Sequence, residues 1–145
     1  MSKIDDEVRM TFSGIADVLI PAAEGMPAAS SVGVANEQNL DRILGLRPDL
    51  SEAFFRGIER AKGQAPATAA EDLNREDSAA LAAIGLIASS AYYMAAVVKD
   101  LIGYPGQESR AFDADAVPEY VSNGMLKVVQ DRGPIFRKTP KAQTA

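Results

Sequence analysis

Residues 78–98, SAALAAIGLIASSAYYMAAVV, run for 21 residues without a charge. Nothing else in the chain narrows its fold so much. The run is long enough to cross a bilayer. Its three serines, two tyrosines, glycine and many alanines are weak in a transfer sense. The expectation is therefore a helix, apolar nearly all round, buried at the centre of a protein. Asn74 is expected to cap it, with Glu76 and Asp77 in the first turn. Lys99 and Asp100 mark its return to solvent and Gly103 its end. A central helix needs helices around it. Alanine is abundant and only 6% of the residues are aromatic, which favours close-packed helices over a sandwich of sheets. The 145 residues fit one domain with a core of its own.

The rest of the chain supplies the neighbours. Ile4, Val8, Phe12, Ile15 and Leu19 recur in steps of three and four and predict a first helix over residues 4–20, capped at Ser2 and stopped by Pro21. PAAEGMPAAS reads as a loop. Ser31 is expected to cap a second helix reaching Leu44, with Val34, Leu40, Ile43 and Leu44 inward and Gly45 as the stop. Asp49 and Glu52 form a capping box for a third helix, with Leu50, Phe54, Ile58 and Ala61 on one face and Gly63 at its end. Thr68 and Glu71 suggest a short helix over residues 69–73. Beyond Gly103, prolines at 105, 118, 134 and 140 and glycines at 106, 124 and 133 break the pattern. Short helices are expected near 118–122 and 126–131. The predicted fold class is thus all-α: a helical core over residues 1–102, an irregular Pro/Gly-rich arm over 103–140 of the same domain, and a disordered tail over 141–145.

The chain has no histidine and no cysteine. That removes thiol chemistry, disulfides, the usual general base and the commonest transition-metal ligands. The formal net charge is −5, which argues against nucleic-acid binding and against an electrostatic membrane anchor. The basic cluster over residues 132–141 is small and reads as a solvated tail. In MSKIDDEVRM, Asp5, Asp6 and Glu7 stand where a signal peptide would begin its apolar core.

Motifs for catalysis are sparse. The carboxylate pairs Asp5–Asp6, Glu71–Asp72 and Glu76–Asp77 each sit at a predicted helix start, where the helix dipole accounts for them. Asp113, Asp115 and Glu119 lack the glycine and terminal glutamate of a calcium loop. Asp17, the one acid inside an apolar face, reads as a polar contact at a helix end. Aromatics gather later: Tyr92, Tyr93 and Tyr104 around the end of the long helix, then Phe112, Tyr120 and Phe136. They read either as core under an irregular loop or as an interaction surface. Gly103-Tyr104-Pro105-Gly106-Gln107 suits a type II turn, with Pro105 at the second position and Gly106 supplying the positive φ at the third.

Four segments, in order, resemble the gluconate 2-dehydrogenase subunit 3 family: IADVLIPA, MPAASSVGVANEQNLDRIL, AYYMAAVVKDLIGYPGQ and RGPIFRKTP. The resemblance spans nearly the whole chain. It implies a non-catalytic small subunit that binds and stabilises a large, FAD-containing dehydrogenase of the glucose-methanol-choline type, acting on sugars, sugar acids or glycosides. It implies no cofactor in this chain, FAD in the partner, and a cytochrome c as a candidate electron acceptor of the complex. Many members of that family carry a twin-arginine signal and escort their partner in export. This sequence has no such pair at its start, so the expectation is a cytoplasmic protein, or a periplasmic one if co-exported with its partner. The expected partner-binding residues are Tyr92, Tyr93, Tyr104, Pro105, Gly106, Gln107, Phe112, Tyr120, Arg132, Gly133, Pro134, Phe136 and Arg137. Two alternatives stand beside this reading: a stand-alone helical module holding an apolar small ligand between its helices, and an enzyme using carboxylate or tyrosine chemistry.

Overall fold

The computed structural model describes residues 4–109, 113 and 116–135. The described residues form an all-α protein, and the only β-type pairing among them is an isolated bridge between Ala23 and Met26. The chain divides into two compact units, residues 1–107 and residues 108–145.

Helix α1 (Asp6–Leu19) starts where the Asp5 carboxylate accepts the Val8 N–H at 2.9 Å. Asp6 and Glu7 then load the first turn, where the dipole favours negative charge. Its inner face is Val8, Phe12, Ile15 and Ala16, and the Ile20 N–H closes on the Ala16 carbonyl just before Pro21. Leu19, expected inward, is 38% exposed.

Residues 20–41 depart from expectation. Ala23 and Met26 exchange two backbone hydrogen bonds across Glu24 (φ +50°) and Gly25 (φ +84°). Positive φ at both central positions is the signature of a type I′ reversal. In place of one helix from Ser31 to Leu44 there are three pieces. A 3-10 turn (Ser30–Val32) ends at Gly33 in the left-handed region; a π-helical turn (Glu37–Asp41) follows; then comes α2 (Arg42–Leu46). The Ser31 hydroxyl donates to the Ala28 carbonyl instead of capping. Asn36 takes the capping role, its side-chain oxygen accepting the Asn39 N–H at 2.9 Å. Gly45 lies within α2 and stops nothing. The Asp17 carboxylate accepts the Ser30 N–H at 2.7 Å, so it holds the start of the 3-10 turn against the end of α1.

After a 3-10 turn (Pro48–Leu50), α3 (Ser51–Ala61) buries Phe54, Gly57, Ile58 and Ala61. Asp49 does not cap it; both its oxygens are taken by the Arg47 guanidinium at 2.9 and 2.7 Å. Helix α4 (Pro66–Glu76) is longer than the Thr68–Glu71 pair suggested. Pro66 begins it, because a proline at the first helical position loses no hydrogen bond and presets φ. Helix α5 (Ser78–Met94) is capped by Asp77, not Asn74: the Asp77 carboxylate accepts the Ala80 N–H at 3.1 Å. Ala95 turns to an extended conformation (ψ 132°) and α6 (Ala96–Leu101) sets off afresh.

In the first unit α3 packs most closely on α5, and α4 fills the space beside α1, α3 and α5. Phe12 and Phe54 meet edge to face at 5.4 Å in a core shared with Ile15, Leu40, Ile58, Leu73, Ile84 and Ile87. A fully buried side chain of this kind contributes about 1.5–3 kcal/mol of transfer free energy. Among the described residues no polar or charged residue is buried. Two glycines let backbones approach: a Cβ on Gly57 would stand 3.0 Å from Ala80 Cβ and Ile84 Cδ1, and one on Gly14 would stand 2.9 Å from Pro66 Cγ.

The second unit holds α7 (Glu119–Ser122) and α8 (Met125–Arg132), which pack on each other and bury none of their residues.

Candidate interaction surface

The uncharged run does not vanish into the core. One face of α5 is buried through Ala80, Ala83, Ile84, Ile87, Ala88, Ala91 and Tyr92. The opposite face is open. Leu86 is 43% exposed and Tyr93, two helical turns later, 57%. Ala82 is exposed one turn before Leu86, and Ser89 and Ser90, between Leu86 and Tyr93, are half-buried. The Ser90 hydroxyl is turned back onto the Leu86 carbonyl at 2.7 Å, so it offers less to solvent than its chemistry suggests. Leu19 of α1 reaches the edge of this strip, its Cδ1 3.7 Å from where a Cβ on Gly85 would sit. Helix α6 then exposes Val97 and Leu101 while burying Val98, and Ile102 at its C-cap is exposed as well. Uniform apolarity had suggested burial on all sides. Composition alone does not distinguish a helix buried all round from one with an uncovered apolar face.

The tyrosine pair divides between two tasks. Tyr92 is 3% exposed and its hydroxyl donates to the Pro27 carbonyl at 2.8 Å, tying residues 20–29 to α5. It is a core residue, with little of its surface open. Tyr93 stands edge to face against it, ring centroids 5.4 Å apart, and presents its outer side to solvent.

The turn after α6 is built by hydrogen bonds to the helix end. The Tyr104 N–H donates to the Lys99 carbonyl at 2.8 Å and the Gly103 N–H to the Asp100 carbonyl at 3.1 Å, with Gly103 at φ +66°. These are the two bonds of a Schellman cap, which needs a residue free to enter the left-handed region. Gly106 at φ +90° matches the third position of the expected type II turn. Among the described residues no backbone bond joins Gln107 to Tyr104, so the turn is an open one. Tyr104 is 51% exposed, and Lys99, Asp100, Gly103, Tyr104 and Pro105 line an open depression of about 300 Å³. Pro105 and Gln107 are exposed and Gly106 half-buried.

The remaining expected residues belong to the second unit. Tyr120, Arg132 and Pro134 are exposed there, and Gly133 takes φ +68° after α8. Phe112, Phe136 and Arg137 lie outside the described residues. Around the tyrosines, Leu86, Val97, Leu101 and Ile102 were missed as surface residues. Leu86 lies across α5 from Ile84, Ile87 and Ala91, but which side of that helix is covered depends on its neighbours, and Val97, Leu101 and Ile102 come after the break at Ala95, which the uncharged run does not mark.

The electrostatics are those of surface pairs. The Arg56 guanidinium donates to Asp77 at 2.7 Å, and with the Ala80 N–H it holds the Asp77 carboxyl below the usual carboxylate range. Arg47 does the same to Asp49. Arg9 bridges the Ala35 carbonyl and the Asp41 carboxylate at 2.8 and 2.6 Å, fastening α1 to the π-helical turn. Among the described residues no group of three or more acidic side chains is placed to hold a metal ion, and no helix is long and apolar enough to cross a membrane. No protein-family model, curated protein or solved structure matches this chain.

Proposed function

We propose that the chain is a non-catalytic partner subunit that binds and stabilises a larger protein. One observation carries this reading: the uncharged outer face of α5, with Leu86 and Tyr93 near half exposure and Leu19 at its edge. Exposed apolar side chains gathered on one face mark interaction sites more often than scattered ones do. An exposed tyrosine offers a large rigid ring and a hydroxyl at little conformational cost, which suits an interface anchor. The Tyr104–Pro105 turn and the apolar residues of α7 and α8 supply further contacts in the same reading. The four segments that resemble the gluconate 2-dehydrogenase subunit 3 family suggest the partner's kind, an FAD-dependent dehydrogenase of sugars, sugar acids or glycosides.

The test is co-purification. The tagged chain is co-expressed with an FAD-containing dehydrogenase of the glucose-methanol-choline type from the same source, and the flavin absorbance of the recovered complex is measured. Tyr93→Ala combined with Leu86→Ser is expected to lower the recovered flavin at least about tenfold, a loss of about 1.4 kcal/mol. The helical circular dichroism of the double variant should match that of the parent. Undiminished recovery with the double variant would remove the α5 face from the interface. Recovery of a partner without flavin would keep the subunit role and discard the dehydrogenase.

A further inference from the structure

We propose that Asn123 is a site of spontaneous intramolecular modification, in which the Gly124 backbone nitrogen attacks the Asn123 side-chain amide and ammonia is lost. The chain has four asparagines, at 36, 39, 74 and 123, and only Asn123 precedes a glycine. The others precede Glu37, Leu40 and Arg75, whose side chains crowd the attacking nitrogen. Gly124 has no side chain, and the space where a Cβ would stand is open.

The local structure adds two conditions. Asn123 is exposed, so water and hydroxide reach it. Its side-chain oxygen accepts the Met125 N–H at 3.0 Å. That bond is made with the Asn123 backbone as it stands and is released when the backbone turns. At ψ 2° the Gly124 nitrogen is turned away from the side chain, so reaction requires rotation about the Asn123 Cα–C bond. What resists the rotation is slight: the Met125 N–H bond to the Asn123 side chain, the Asn123 N–H bond to the Glu119 carbonyl at 2.8 Å and the Lys127 N–H bond to the Gly124 carbonyl at 3.0 Å. Helix α7 has four residues and neither α7 nor α8 buries one, so opening the joint costs little. The other asparagines are held. Asn36 and Asn39 are bonded into the π-helical turn through the Asn39 N–H and the Gly33 carbonyl, and Asn74 lies within α4.

The step balances without an oxidant or reductant. Hydroxide takes the Gly124 amide proton, the nitrogen bonds to Asn123 Cγ, and the Cγ–Nδ2 bond breaks as ammonia leaves with a proton from water. The five-membered imide is then opened by water at either carbonyl. One opening gives aspartate; the other gives isoaspartate, in which the backbone runs through the side-chain carbon. Both add a negative charge, and isoaspartate also lengthens the backbone between α7 and α8 by one methylene.

Incubation of the full chain at neutral and mildly alkaline pH in oxygen-18 water, followed by peptide mass spectrometry, tests this. Conversion at Asn123 is expected at least about tenfold faster than at the other three asparagines, a barrier difference of about 1.4 kcal/mol. It should quicken with pH, place one heavy oxygen in the product and yield both isomers. Gly124→Ala is expected to slow it at least about tenfold on the same scale. Since the crowding by a methyl group is local, that expectation holds even if the α7–α8 joint unravels. Equal rates at all four asparagines, or an Asn123 peptide unchanged while another converts, would overturn the proposal.

Discussion

At the scale of single residues, Asp77 links the most parts. It caps α5, pairs with Arg56 of α3 and closes α4 in the preceding residue. Its carboxyl is held below the ordinary range chiefly by Arg56 and then by the Ala80 N–H. A depressed carboxyl stabilises the fold fully above its unfolded pKa, near 4, and the contribution is lost as pH falls through the lower folded value. Asp77→Asn should therefore melt at a lower temperature than the parent at neutral pH, and the gap should shrink as the solution is acidified below about pH 4. A gap that stays constant with pH would mean that the cap geometry alone matters. Tyr92→Phe should cost about 1 kcal/mol in denaturant unfolding, because the Pro27 carbonyl loses its donor in a half-buried place. Gly57→Ala sets two effects against each other. The helix gains about 1 kcal/mol in propensity. The new methyl meets Ala80 Cβ and Ile84 Cδ1 at 3.0 Å, and overpacking of this kind costs about 1–3 kcal/mol. Ile84 Cδ1 can swing aside, but Ala80 Cβ is fixed to its backbone, so a net loss of about 1 kcal/mol is expected in the same experiment.

At the scale of elements, the periodic helices were legible in the residues and their ends were not. Val8, Phe12 and Ile15 in α1 and Phe54, Ile58 and Ala61 in α3 face inward as their spacing predicts. Burying a stripe is what a helix gains from folding, so the stripe is written plainly. Capping is decided among close competitors. Asn74 and Asp77 are both good caps, and Asp77 prevails where Arg56 can reach it. Ser31 and Asn36 compete likewise, and Gly33 at φ +72° separates them. The turn after α6 was readable in outline because Gly103, Pro105 and Gly106 each restrict the backbone in a known way. The open face of α5 was not readable, since it depends on how many helices surround it. Helix α4 begins without any side-chain cap, at exposed Ala65. Ala65→Asp should supply one and raise stability by about 1 kcal/mol, read as a higher denaturant midpoint with an unchanged slope.

At the scale of the whole molecule, the buried apolar cluster runs from Val8 to Val98 and lies within the first unit. A chain ending after Gln107 is therefore expected to unfold cooperatively and to melt within a few degrees of the full chain, since a difference of 1 kcal/mol in a domain this size moves the midpoint by roughly 4–8 °C. Broad, uncooperative melting of the shorter chain would show that residues 108–145 contribute to its core. One further consequence belongs to the tyrosine pair on α5. The chain has four tyrosines and no tryptophan, and of the four only Tyr92 is buried. Near-ultraviolet light thus sees one chiral, rigid phenol leaning on a second, against a background of solvated rings. The protein carries its own optical gauge, in which loss of the near-ultraviolet signal reports the release of residues 20–29 from α5 without any attached label.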